Sequence, residues 1–168
     1  MKLQLHLDNN DDPDPASRSP LGDMLANAPA VLAAALEDLP EGKLLPGRVE
    51  VSLSFLSPDE MREQNRAYRN VDTPTDVLSF PLWEENGIFS PDSCLPILPL
   101  GDILICPEYV RRELEAAGEE PFKSAVALML AHGFLHLLAW DHDTPEREKT
   151  MEEMQERIRA ALLTESRE

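Results

Sequence analysis

Phe122–His142 reads FKSAVALMLAHGFLHLLAWDH, and this stretch decides how the chain must fold. From Phe122 to Leu138 the residues are apolar nearly all round, the pattern of a helix buried on every side. Two imidazoles, His132 and His136, lie four residues apart on that helix, and His142 follows six residues later. Side chains four apart on a helix share a face, with Cβ atoms about 5–6 Å apart. Two imidazoles on one face of an apolar helix are costly unless something pairs them.

His142 cannot meet that pair if the helix runs on, because six more residues carry it roughly 9 Å along the axis and onto another face. The chain must therefore turn back between Leu138 and Asp141. Glycine is the usual residue for such a stop, since it takes a left-handed conformation freely. Ala139 and Trp140 stand there instead, and a left-handed alanine costs about 1 kcal/mol more than glycine. A lone HxxxH pair is often two hydrogen-bonded core histidines. A third imidazole within reach, in a chain with only four histidines, favours His132, His136 and His142 as ligands of one metal ion. Three histidines are a known zinc ligand set, and they leave a fourth position for water. The expected cofactor is one Zn²⁺, although other transition metals suit imidazole too.

Working outward, Lys2–Asp8 (KLQLHLD) and Arg48–Leu56 (RVEVSLSFL) alternate apolar with polar residues, as half-buried strands do. His6 falls on the polar phase and should face solvent. Asp76–Pro81 and Gly101–Cys106 are short apolar strands, with a loop expected over Leu82–Pro99. Helices are expected over Leu21–Leu39, from Pro58 to about Arg69, over Glu108–Ala117, over Phe122–Leu138, and from Pro145 to about Leu163. Ser57–Pro58–Asp59–Glu60 supplies a capping box and a proline at the first helical position. Thr144 caps the last helix. Asn9–Pro20, rich in Asn, Asp and Pro, reads as a mobile loop. The fold class is therefore α+β: a mixed sheet of about four strands covered by about five helices, with the histidine-bearing helix buried at the centre.

The length, 168 residues, suits a single domain over residues 1–168. Two cysteines, Cys94 and Cys106, make no disulfide framework and fit a reducing compartment. No secretory signal or membrane span is visible, so a cytoplasmic protein is expected. Against 15 basic residues stand 32 acidic ones, a net charge of −17. That balance argues against a broad, sequence-blind nucleic-acid surface, and any RNA contact must rest on a few local arginines.

Upstream, Asn65–Pro81 reads NRAYRNVDTPTDVLSFP, followed by Gly101–Ile103 (GDI) and the HGFLHLLAWDH run. In that order these motifs resemble the YbeY family of bacterial endoribonucleases over nearly the whole chain. The family's usual ending is closer to HGxLHLxGYDH, so Ala139 and Trp140 replace a Gly and a Tyr. The resemblance implies a metal-dependent hydrolase that prefers single-stranded RNA. It implies action in ribosomal RNA processing, notably maturation of the 16S 3′ end, and in ribosome quality control. Small-subunit proteins and assembly factors are the implied partners, with no membrane. It maps the metal ligands to His132, His136 and His142 and an important arginine to Arg69. Arg69 and His132 are accordingly the catalytic candidates.

The residues agree chemically, because a phosphodiester needs a cation beside the scissile phosphate and a fork that grips its oxygens. Arg62, Arg66 and Arg69 recur at helical spacing as a basic stripe, whose alternative is a solvated face paired with Glu60 and Glu63. Arg66, Arg69, Thr75 and Ser79 are the candidate substrate contacts. With Thr75 and Ser79, Asp76 could line a groove near the metal, although Thr73–Pro74–Thr75 reads as a turn feeding a strand. Two other functions compete. A metallopeptidase of metzincin spacing (HExxHxxGxxH) needs a glutamate after the first histidine, where this chain has Gly133. A non-enzymatic ribosome-assembly factor would use the metal only for folding.

Overall fold

The computed structural model describes residues 1–8, 21–115 and 117–164. The loop expected over residues 9–20 lies outside them. Four strands form a mixed sheet in the order β1 (Lys2–Asp8), β2 (Arg48–Phe55), β6 (Leu98–Ile105), β3 (Val77–Pro81). β1, β2 and β6 run parallel, and β3 closes the edge antiparallel to β6. The alternation in β2 does what period 2 demands: Val49, Val51 and Leu53 are buried while Arg48 is exposed. His6 faces solvent and meets Glu50 of the neighbouring strand at 3.3 Å.

Among the described residues five α-helices accompany the sheet: α1 (Gly22–Asp38), α2 (Pro58–Arg69), α3 (Pro107–Glu113), α4 (Glu119–Leu137) and α5 (Pro145–Leu163). α4 lies at the centre as its composition requires, packed on β3 and β6 and against α5. Leu130, Phe134, Leu135 and Leu137 on it are fully buried. α1 packs on β1 and α5, which completes the main core. A second small cluster, Met61, Leu78 and Cys106, joins α2 to β3 and the end of β6.

Several features differ from expectation. β6 begins at Leu98, not Gly101, because a bulge absorbs an extra residue opposite Glu50–Val51. Gly101 takes φ +141 there, and a Cβ would stand 2.2 Å from the Phe80 carbonyl oxygen. The expected loop over Leu82–Pro99 contains a hairpin, β4 (Glu84–Glu85) and β5 (Ile88–Phe89). Asn86 and Gly87, at φ 52 and 77, make the two-residue turn that such a pair favours. α3 stops at Glu113 rather than Ala117, and α4 starts at Glu119 rather than Phe122.

Candidate metal centre

α4 ends at Leu137, and the stop is a Schellman turn built on alanine. Ala139 takes φ +63, its N–H donates to the His136 carbonyl at 3.0 Å, and the Trp140 N–H donates to the Leu135 carbonyl at 3.1 Å. The chain therefore reverses where the histidine spacing required it to, without glycine. The turn carries His142 back toward the helix.

The three imidazoles converge. Their ring centroids lie 4.4 Å apart for His132–His136, 5.7 Å for His132–His142 and 5.5 Å for His136–His142. One ligand atom from each lies within 4.8 Å of the other two. Bonds of about 2.0–2.1 Å at tetrahedral angles place nitrogen donors about 3.3–3.4 Å apart, so this cluster fits one ion after small ring movements. The His132 and His136 Nε2 atoms face each other at 2.9 Å. On the far side of its ring, the His132 Nδ1 meets the Gln155 side-chain oxygen of α5 at 2.5 Å. An amide oxygen only accepts, so Nδ1 holds the proton and Nε2 presents a lone pair to the cluster. Burial first, then the adjacent His132, holds the His136 imidazole below its ordinary pKa, while a hydrogen bond to the Trp140 backbone opposes the shift. The neutral form, the one that binds a metal, is thereby favoured.

Trp140 is tied down in turn. Its indole N–H donates to Glu41 Oε1 at 3.0 Å, across 99 residues of sequence. The other Glu41 oxygen is buried without a partner among the described residues. The Asp141 carboxylate accepts from the His142 backbone N–H at 2.7 Å, which stiffens the turn.

The cluster opens into a groove of about 620 Å³, which Arg69, Ser79, Glu84, Asp141 and Arg147 also line. The capping box of α2 forms as expected, with Glu60 N–H on Ser57 Oγ at 3.3 Å and Ser57 N–H on Glu60 Oε2 at 2.8 Å. Asn65, only 3% exposed, donates to the Thr73 carbonyl at 2.8 Å and so fixes the loop after α2. Arg69 thus reaches the groove from the helix end. Arg66 and Thr75 do not line it, and Arg62 is engaged by Asp72 in a two-point ion pair rather than by Glu60 or Glu63. Thr75 instead donates to Asp76, which accepts the Val77 N–H.

Gly133 packs directly on the sheet. A Cβ there would stand 2.9 Å from Ile103 Cγ2 and 3.0 Å from Ser79 Oγ. A glutamate there would crowd Ile103 and Ser79, and this chain places no carboxylate where the metzincin arrangement has its general base. Gln155, Glu41 and Arg147 were not singled out from the sequence. Nothing in their local spacing marks them, because each reaches the site only through the tertiary packing of α5 or of the turn after α1.

A buried helix and its reversal hold three imidazoles at the floor of a groove, against a mixed sheet. That arrangement defines an α+β protein with a three-histidine metal-type centre. A sequence model described as endoribonuclease YbeY matches residues 17–163. Proteins named endoribonuclease YbeY are 38% identical over 137 residues in Caldanaerobacter subterraneus, covering 79% of this chain and 86% of that one. In Halalkalibacterium halodurans the identity is 43% over 128 residues, covering 74% and 79%. The solution structure of TM1509 from Thermotoga maritima superposes with a TM-score of 0.54 at 26% identity, over 95% of this chain and 88% of that one. The chain belongs to the YbeY endoribonuclease family.

Proposed function

We propose that this chain is a zinc-dependent endoribonuclease of single-stranded RNA, a single-domain cytoplasmic enzyme of ribosomal RNA processing. The observation that carries the reading is the convergence of His132, His136 and His142 in a groove that Arg69 also lines, in a chain of this family. Maturation of the 16S 3′ end, ribosome quality control and contact with small-subunit proteins or assembly factors belong to the same reading. They are supported by the family resemblance alone.

His132, His136 and His142 would hold the ion, and three nitrogen ligands select zinc over magnesium or calcium. When bound, the ion supplies Lewis-acid polarisation of a phosphoryl oxygen and lowers the pKa of water at the site. The chain does the rest. Gln155 keeps the His132 Nε2 lone pair directed inward. The planar guanidinium of Arg69 grips two phosphate oxygens at once and so orients the scissile group. Ser79, at the groove wall, offers a hydroxyl to the sugar–phosphate chain. Arg66 and Thr75 stand outside the cavity and meet only RNA that overhangs its rim.

Incubation of the zinc-loaded protein with unstructured RNA, structured RNA and casein tests the reading. Unstructured RNA should be cut, chelator should stop the cut, and His136→Ala and Arg69→Ala should abolish it. Chelator-sensitive cleavage of casein alone would establish a peptidase. Normal 16S ends in cells carrying only a folded Arg69→Ala protein would establish a non-enzymatic factor.

A further inference from the structure

A second cavity of about 370 Å³ adjoins the groove. The two share Gly87, Ala139, Trp140, Asp141 and Arg147, so they lie side by side at the turn after the histidine helix. Beyond the shared residues the second cavity offers the apolar side chains Phe89 and Leu138 and the carboxylates Glu41 and Glu146. Arg147 is the only cation lining it, and besides Arg69 the only Lys or Arg lining the groove, among the described residues.

The placement of Arg147 is unusual for a stabilising residue. It lies in the first turn of α5, where its own N–H donates to the capping Thr144 Oγ1 at 3.2 Å. A cation at that end of a helix opposes the helix dipole, and an anion would be favoured. Asp143 offsets the charge through a single contact, Nη1 to Oδ1 at 2.7 Å, with the two side chains about half exposed. A guanidinium has five N–H donors, and this pair uses one. An exposed pair of this kind contributes little stability.

Resting on the endoribonuclease reading, we infer that Arg147 is a second phosphate-binding residue. It grips a backbone phosphate next along the RNA from the one held by Arg69, where the strand crosses into the adjoining cavity. Asp143 holds the guanidinium at the groove rim and competes with the phosphate for it. With a net charge of −17, the chain must rely on such local cations to hold an RNA phosphate.

The test uses the full zinc-loaded chain and a fluorescent 12-nucleotide 2′-O-methyl oligouridylate, with a denaturing gel of each sample to check that the strand stays intact. Dissociation constants are measured by anisotropy between 25 and 200 mM KCl. Loss of one phosphate contact removes about 0.7 from the slope of log K against log salt on a single strand. Arg147→Gln should show that loss, with binding weakened about three- to ten-fold at low salt. Arg147→Lys, which keeps the charge, should retain the wild-type slope. Asp143→Asn, which frees the guanidinium, should bind more tightly than wild type. A wild-type slope and affinity in Arg147→Gln, with zinc content unchanged, would overturn the inference and leave the endoribonuclease reading standing. Failure of the wild-type protein to bind the oligonucleotide at 25 mM KCl would overturn both.

Discussion

Gly133→Ala sets two known effects against each other, and the structure fixes the sign. In an exposed helix interior this change stabilises by about 1 kcal/mol, because alanine is the better helix former. Here the new methyl would stand 2.9 Å from Ile103 Cγ2, 3.0 Å from Ser79 Oγ and 3.4 Å from Ile103 Cδ1. Carbon atoms at optimal contact lie about 3.5–4.0 Å apart. Ile103 is fully buried in β6 and cannot swing into solvent. Overpacking of this kind costs about 1–3 kcal/mol. Subtracting the helix gain leaves a net destabilisation of about 0–2 kcal/mol. For a chain of this size each kcal/mol lowers the melting temperature by about 2–4 °C. Urea unfolding followed by far-ultraviolet circular dichroism, with an unchanged m-value, measures the difference. Adding Ser79→Ala removes one of the two closest contacts and should recover part of the loss, a coupling that only touching residues show. A Gly133→Ala protein more stable than wild type by about 1 kcal/mol would refute the packing argument.

Ala139→Gly relieves a left-handed alanine, worth about 1–2 kcal/mol, against an entropic cost of about 0.4–1 kcal/mol in the unfolded chain. The variant should be neutral to about 1 kcal/mol more stable in thermal unfolding, with zinc content unchanged; clear destabilisation would contradict the turn described for α4. Gln155→Ala removes the acceptor for His132 Nδ1 and should weaken zinc binding about 10–100-fold in competition with a chromophoric chelator, while Gln155→Glu should bind at least as tightly as wild type. His136, whose pKa is lowered by burial and by His132, takes up its proton at higher pH in the unfolded chain than in the folded metal-free one. The stability linked to it is therefore full above about pH 6.5 and lost as the pH falls through the lowered folded value. Urea midpoints in chelator from pH 8 to 5 should fall more steeply for wild type than for His136→Gln, and parallel profiles would show that the group is not buried as described.

Much of the frame was readable from local pattern. Period 2 marked β1 and β2, the Ser57–Glu60 box marked the start of α2, and all-round apolarity marked α4 as central. Each signal depends on residues close in sequence. The hairpin at Asn86–Gly87 escaped because its strands have two residues each, too few for a period, although the Asn-Gly pair itself was a turn signal. The early start of β6 escaped because Pro99 reads as a loop residue, and only its pairing with β2 across the bulge draws it into the strand. The histidine cluster was legible for the same reason as the frame: all three residues lie within 11 positions. Its supports were not, since Gln155 and Glu41 come from opposite ends of the chain. Among the arginines, spacing alone could not separate Arg69, at the groove, from Arg62, which Asp72 occupies.

All three imidazoles come from one helix end and the reversal that follows it. An ion seated there would tie together a loop of only about ten residues, which restrains the denatured chain little. The apolar core formed by α1, α4, α5 and the sheet counts none of the three histidines among its members. The ion is thus a fitting mounted on a finished frame, not the bolt that holds the frame together. Stripping it should silence the chain while leaving the architecture upright, so loading and unloading can follow the supply of metal without a cycle of collapse and rebuilding.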